Sequence, residues 1–258
     1  MSIFLWSGDK GGSGKSFGSE AFTDWLIARR HLKPLVVDTD MRNPDVHRMF
    51  SGVTDAVLIN LREREGWFEL VSVAHEAGER PVVVSLPGNI GDAIETNVLA
   101  LTEALADLKQ DLIMFWVLNR EPDAINLLRV ALSAYGKSVK RTVAVRNLHW
   151  GAPPQFVRWN ESKTRETLLK DGGLEIDLDD LHDSLVDATK RALPNAFRFS
   201  QFEAVRDPRN PEQGLRFGQK AELKRWTERT FHTFDTIASK ISIEANRRAQ
   251  EPSTPRVA

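Results

Sequence analysis

The sequence predicts an α/β protein: a doubly wound, mostly parallel sheet with helices on both faces. Three observations lead there. Apolar runs at Ile3–Trp6, Leu35–Val37, Val82–Leu86, Leu112–Leu118 and Thr142–Val145 alternate with stretches of helical period. The runs are continuously apolar, as in strands covered on both faces. A glycine-rich segment, Lys10-Gly11-Gly12-Ser13-Gly14-Lys15-Ser16, joins the first run to the first helical stretch.

The elements follow in order. After the loop, Phe17, Ala21, Phe22, Trp25 and Leu26 recur at helical spacing and predict a core-facing helix. Val98, Leu101, Leu105 and Leu108 do the same before the fourth run. His149 to Asn160, with Pro153-Pro154 and the aromatics Trp150, Phe156 and Trp159, reads as irregular, as does Phe202 to Phe217; packing is the plainer reading of the tryptophans in the first, with a ligand-side or partner surface as the alternatives. Leu223, Trp226, Thr230, Phe234, Ile237 and Ile241 form the single apolar stripe of a long terminal helix. No repeat or compositional break marks a second domain. One domain over residues 1–250 is expected, with 251–258 as a disordered, proline-containing tail.

Composition removes several function classes. Of 258 residues, 41% are hydrophobic and 28% charged, which suits a globular protein with a full core. With no cysteine there is no disulfide, thiolate metal site or cysteine nucleophile, and a reducing cytoplasm is the expected compartment. The apolar run Leu112–Leu118 is far too short to span a bilayer, and the N-terminus lacks the pattern of a signal peptide. A net charge of −1 means that any nucleic-acid contact must come from a local basic patch.

The glycine-rich segment carries the chemistry. Its glycines let successive backbone N–H groups converge on one anion, and the helix starting near Ser16 adds its positive end there. Lys15 would reach the β- and γ-phosphates of a nucleotide, and the Ser16 hydroxyl would ligate Mg²⁺. Phe17 closes the binding stretch. The strict G-x-x-x-x-G-K-[ST] pattern fails, because its first glycine falls on Asp9. No G-x-G-x-x-G fingerprint overlaps the loop, which disfavours a dinucleotide.

With Lys10 leading it, the segment resembles the deviant Walker A loop, K-G-G-x-G-K-[ST], of the ParA/MinD family of P-loop ATPases. The resemblance implies that Lys10 reaches across a dimer interface to the partner's nucleotide while Lys15 acts in cis. Val36-Val37-Asp38-Thr39-Asp40 ends the second run where ligands sit in open α/β sheets. It looks like the family's D-x-D segment, which gives Asp40 the role of holding Mg²⁺ or orienting the attacking water. The continuation through Arg42, Pro44, His47 and Phe50 also resembles the related bacterial tyrosine kinases. Val82-Val83-Val84-Ser85-Leu86-Pro87-Gly88 is similar to the family's Walker B segment, but Ser85 stands where an Asp belongs. A serine brings no charge, so Asp38, Asp40 or Asp92 is left to supply the carboxylate. The family's adenine-contacting Asn corresponds to Asn147, which is also an ordinary turn former.

The resemblance implies a switch that dimerises on ATP and hydrolyses it slowly, with ATP and Mg²⁺ as ligands and a homodimer as the ATP state. It further implies a small DNA-binding or mobilisation partner protein, in plasmid partition, stability or conjugative mobilisation. Two basic groups are candidate DNA contacts: Lys137, Lys140, Arg141 and Arg146, and then Arg206, Arg209, Arg216, Lys220, Lys224, Arg225 and Arg229. A solvated helix face is the plainer reading of each. Other members of the superfamily fit less well. A tyrosine kinase would carry a tyrosine-rich tail, and Tyr135 is the sole tyrosine. Electron-transfer and metal-transport ATPases need cysteines, and membrane positioning needs a basic amphipathic helix at the extreme C-terminus. A non-catalytic, nucleotide-sensing scaffold competes with the ATPase because of Ser85.

Overall fold

The computed structural model describes residues 2–8, 11–136, 138–192, 198–204, 206–207 and 210–243, without side chains for 189–192, 206–207 and 210–214. Seven strands form one parallel sheet: β1 (Ser2–Ser7), β2 (Leu35–Asp38), β3 (Ala56–Leu58), β4 (Val82–Ser85), β5 (Asp111–Leu118), β6 (Arg141–Asn147) and β7 (Leu174–Leu178). Their order across the sheet is β3-β2-β4-β1-β5-β6-β7. The five apolar runs all became strands, and the α/β expectation holds. Sequence reading did not find β3 and β7, which close the two edges.

Side-chain alternation divides the core. On β1, Phe4 and Trp6 enter one layer while Ile3 and Leu5 enter the other. The first layer holds α1 (Lys15–Ala28), α2 (Asp45–Phe50), α8 (Asp183–Ala192) and α9 (Phe217–Ile237). The second holds α3 (Arg64–Ala77), α4 (Gly91–Asp107), α5 (Pro122–Tyr135), the short α6 (Val157–Asn160) and α7 (Lys163–Lys170). The chain thus leaves β1 toward one face and leaves the neighbouring β4 toward the other. This divergence opens a crevice at the carboxyl ends of the strands, the place where such sheets bind ligands.

Aromatic packing fixes α1 on β1. Trp6 stacks on Phe115 of β5 with ring centroids 4.4 Å apart and planes 10° from parallel. Gly18 makes this possible, since a side chain there would run into the Trp6 ring. Phe22 sits 5.8 Å from Trp6 and 5.3 Å from Phe234 of α9. The α9 stripe read from the sequence is buried as expected: Leu223, Trp226, Thr230, Phe234 and Ile237, with Ile241 in the turn beyond. Phe156 and Trp159 are buried as packing residues, whereas Trp150 is exposed.

One buried charge stands out. Asp24 of α1 is 0% exposed and accepts hydrogen bonds from the Ser200 N–H and hydroxyl, both at 2.7 Å. It ties α1 to the 3-10 segment Phe199–Ala204. Burial pushes its carboxyl up from 3.8 to about 6, against the lowering effects of Ser200, Arg198 and the Phe199 backbone. Among the described residues, no helix is long and apolar enough to cross a membrane. The expected tail, 251–258, lies outside the described residues.

Candidate nucleotide site at the first crossover

The loop between β1 and α1 sits on the crevice. Gly11 and Gly12 are exposed, Ser13 and Lys15 are buried, and Ser16 and Phe17 are half-buried. Lys10, and with it the deviant first position, lies outside the described residues. Gly14 adopts φ 100°, a left-handed conformation that a side chain would strain, and a Cβ there would collide with the Asn147 amide.

Two features show that the loop suits an anion. Gly14 at the N-cap of α1 has no side chain to cap the helix, the first turn has no acidic residue, and among the described residues no side chain accepts from its first N–H groups. The buried Ser13 hydroxyl has no hydrogen-bond partner among the described residues. A phosphate group supplies acceptors for both, and the fit to a nucleotide's phosphates follows from the donor set itself.

Asn147 enters from β6. Its Nδ2 donates to the Ser13 carbonyl at 2.8 Å, and its Oδ1 accepts from the His149 N–H at 3.2 Å. The side chain braces the loop across 134 positions of sequence. An amide has two donors and two acceptor lone pairs, so each group keeps one further bonding position for a base.

The two carboxylates ending β2 do different things. Asp38 is buried, and its Oδ1 accepts from the Asp40 N–H at 3.1 Å. Its Oδ2 accepts from the N–H groups of Val46 at 3.0 Å and His47 at 3.1 Å, so it caps α2. Burial raises its pKa, opposed by these three N–H groups. Asp40 is half-buried, and its Oδ1 accepts from the N–H groups of Arg42 and Asn43, each at 3.0 Å. Its Oδ2 has no partner among the described residues, which leaves one oxygen for a metal or water.

Ser85 pairs in register with Trp6 on one side and Asp38 on the other, and is buried. Its carbonyl accepts from the Thr39 N–H at 3.1 Å and hydroxyl at 2.8 Å. The segment after it is held by Arg62, which donates to the Gly88 carbonyl at 2.8 Å and the Asn89 carbonyl at 3.2 Å. Asp92 goes elsewhere. It lines a small cavity of about 210 Å³ with Glu95, Trp116 and Tyr135, and no loop residue shares that lining. Of the three carboxylates considered for the charge missing at Ser85, Asp38 is committed to α2, Asp92 lines this cavity and Asp40 ends β2 with one oxygen unbonded among the described residues.

The basic groups do not form one patch. Arg146 is only 14% exposed, bonds Asp177 at 2.7 Å and lies 3.6 Å from Glu175, whose pKa is lowered by Arg165, Trp159 and Arg146 despite its burial. Lys140 pairs with Asp111. On α9, Lys220 pairs with Glu203, Arg225 with Glu222 and Arg229 with Asp179, while Lys224 lies 6.0 Å from the Phe202 ring. Lys137 and Arg209, and the Arg206 side chain, lie outside the described residues.

Sequence reasoning missed the brace and the support of the loop helix. Phe17 packs at 5.6 Å from Phe199 and 5.2 Å from Trp226, so the end of the binding stretch rests on α9. Asp24 had a sequence signal: it interrupts the apolar stripe at Ala21, Phe22, Trp25 and Leu26, where a charge has to find a buried partner.

No family model matches the chain. Among solved structures it is similar to a nucleotide-binding protein in complex with ADP from Archaeoglobus fulgidus, at 15% identity over 70% of this chain and 82% of that one, with TM-score 0.43. It is also similar to the MinC:MinD cell division protein complex of Aquifex aeolicus, at 14% identity over 90% of this chain and 96% of that one, with TM-score 0.47. Among curated proteins it is similar to protein MobD of Acidithiobacillus ferrooxidans, at 32% identity over 225 residues, spanning 87% of this chain and 92% of that one. With that identity sustained over nearly the full length of both, the chain belongs to the MobD family.

Proposed function

We propose that the protein is an ATP-dependent, dimerising switch ATPase of the ParA/MinD type. The observation that carries this is the start of α1 beneath a left-handed Gly14, with no side-chain cap and no partner for the Ser13 hydroxyl among the described residues, and with Lys15 at the first helical position. Gly11 to Phe17 hold the phosphates, Lys15 meets the β- and γ-phosphates, and Asn147 keeps the loop in place while contacting the base. Ser16 and the free oxygen of Asp40 would hold Mg²⁺, which when bound neutralises phosphate charge. Asp40 orients the attacking water. Lys10 acts in trans on the partner's nucleotide, so γ-phosphate charge links dimerisation to ATP. The cellular role is plasmid partition, stability or mobilisation, in the cytoplasm and with a small partner protein; the relative's name, MobD, accords with mobilisation. Non-specific DNA contact falls to the exposed cations at the start of α9 and along it, of which Arg216 and Lys224 make no ion pair among the described residues.

A second reading is favoured by Ser85. With Asp38 committed to α2, a site with one available carboxylate among the described residues binds nucleotide and turns it over very slowly, as a sensing scaffold. Titration of ATP against the wild type and Lys15→Ala, with turnover measured in parallel, tests both. Loss of most binding in the variant is expected. Wild-type affinity in Lys15→Ala overturns the site, and binding without turnover selects the scaffold.

A further inference from the structure

A second cleft lies at the opposite end of β6. Its volume is about 680 Å³, and its lining comes from α5, the start of β6, α7 and the Gly172-Gly173 turn. That volume falls within the range of about 300–1,000 Å³ typical of small-molecule sites. Arg141 opens β6 and Asn147 ends it. Six residues of strand separate the two sites by about 20 Å. The cleft is therefore distinct from the nucleotide crevice.

Its chemistry is that of an anion site. Arg129, Lys140, Arg141 and Lys163 line it, against Asp171 as the one acid in the lining. Lys140 is neutralised from behind by Asp111 at 2.5 Å. These charges leave a net excess of two positive charges at the cleft. Arg129 and Lys163 make no ion pair among the described residues. Arg141 donates from its terminal nitrogen to the Gly172 carbonyl, but its Nε is buried with no partner among the described residues.

Two hydroxyls add further donors. Thr142 and Thr164 line the cleft and are only 5% and 8% exposed. Neither side chain makes a hydrogen bond among the described residues. A guanidinium N–H and two threonine hydroxyls without partners, beside two unpaired cations, are the donor set of a bound oxyanion. Leu132, Val139 and Leu168 supply apolar wall beyond it.

We propose that this cleft binds a small phosphomonoester, its phosphate on Arg129, Arg141 and Lys163 and its body against the apolar wall. A phosphomonoester carries about −1.5 to −2 charges at neutral pH, which matches the excess. A monoanion leaves one charge unmatched, and bare phosphate leaves the wall unused. The proposal does not depend on what the loop at 11–17 binds.

The probe is phenyl phosphate, titrated by calorimetry and followed through the backbone amide resonances of Gly172 and Gly173. Inorganic phosphate, benzenesulfonate and a short DNA duplex are the comparison ligands. Phenyl phosphate is expected to move both glycine resonances and to bind more tightly than either small anion. Arg129→Gln and Lys163→Gln should each weaken it about tenfold, the effect of losing one hydrogen bond to a charged group. Both residues are exposed and make no ion pair among the described residues, so an unchanged melting temperature certifies the fold. Lys15→Ala should leave the affinity as it is, whichever way the nucleotide assignment falls. Equal affinity for phosphate ester and sulfonate, unchanged affinity in the two Gln variants, or shifts centred on Gly11–Lys15 would overturn the proposal. Shifts produced by the duplex but not by phenyl phosphate overturn it in favour of a nucleic-acid surface.

Discussion

Replacing Asp24 with Asn should make the protein more stable at neutral pH and flatten its acid response. The unfolded carboxyl loses its proton near 3.8, and the folded one near 6. Between these values the folded state holds more protons than the unfolded one, so stability falls as pH rises through that window. The full difference is worth about 3 kcal/mol, present below the unfolded value and gone above the folded one. An asparagine carries no such penalty. Its Oδ1 still accepts from the Ser200 N–H, and its Nδ2 donates to the Ser200 hydroxyl, which rotates to accept. Urea unfolding from pH 4.5 to 7.5 is the assay. The wild type should lose about 2 kcal/mol across the range relative to Asp24→Asn. Parallel curves for the two proteins would refute the reasoning, because they would mean that burial does not hold the proton on Asp24.

Three further predictions concern the site. Asn147→Ala leaves the Ser13 carbonyl and the His149 N–H without their partners, so a loss of roughly 2 kcal/mol is expected, with faster amide exchange at Ser13 and Gly14; unchanged exchange there would show that the brace is not needed. Asp40→Ala should lower ATP turnover at least about tenfold more than ATP affinity, as steady-state rates and equilibrium titration would show; equal losses would make it a structural or simple metal-holding residue. Lys10→Ala should bind ATP as a monomer and fail to dimerise with a non-hydrolysable analogue, as light scattering would reveal; persistent dimers would end the proposed role in trans.

The central strands were legible because a parallel sheet covered on both faces needs unbroken apolar runs, and β1, β2, β4, β5 and β6 supply them. The edge strands carry no such signature. Ala56–Leu58 spans three half-buried residues, and Leu174–Leu178 reads L-E-I-D-L because Glu175 and Asp177 face Arg146. The loop was legible through its glycines and lysines, which are local. Its brace was not, since the Asn147–Ser13 bond joins residues that only the sheet order brings together. Nor does sequence show that Asp38 caps α2 while Asp40 keeps an oxygen free. Both end the same strand with the same side chain, and the turn that follows separates them.

The brace also has a consequence for how the chain is made. On a ribosome the loop emerges early, but the strands beside β1 are β4 and β5, and the amide holding Ser13 belongs to residue 147. At a synthesis rate of about 5–20 residues per second, the gap between Ser13 and Asn147 lasts roughly 7–27 s. For most of that time the aromatic face of α1, with Phe22 and Trp25, lacks the β5 surface, and for all of it and longer it lacks α9. The nucleotide crevice is therefore assembled late, from a segment made first, and the nascent chain must keep its most apolar helix from other partners until the second half of the sheet arrives.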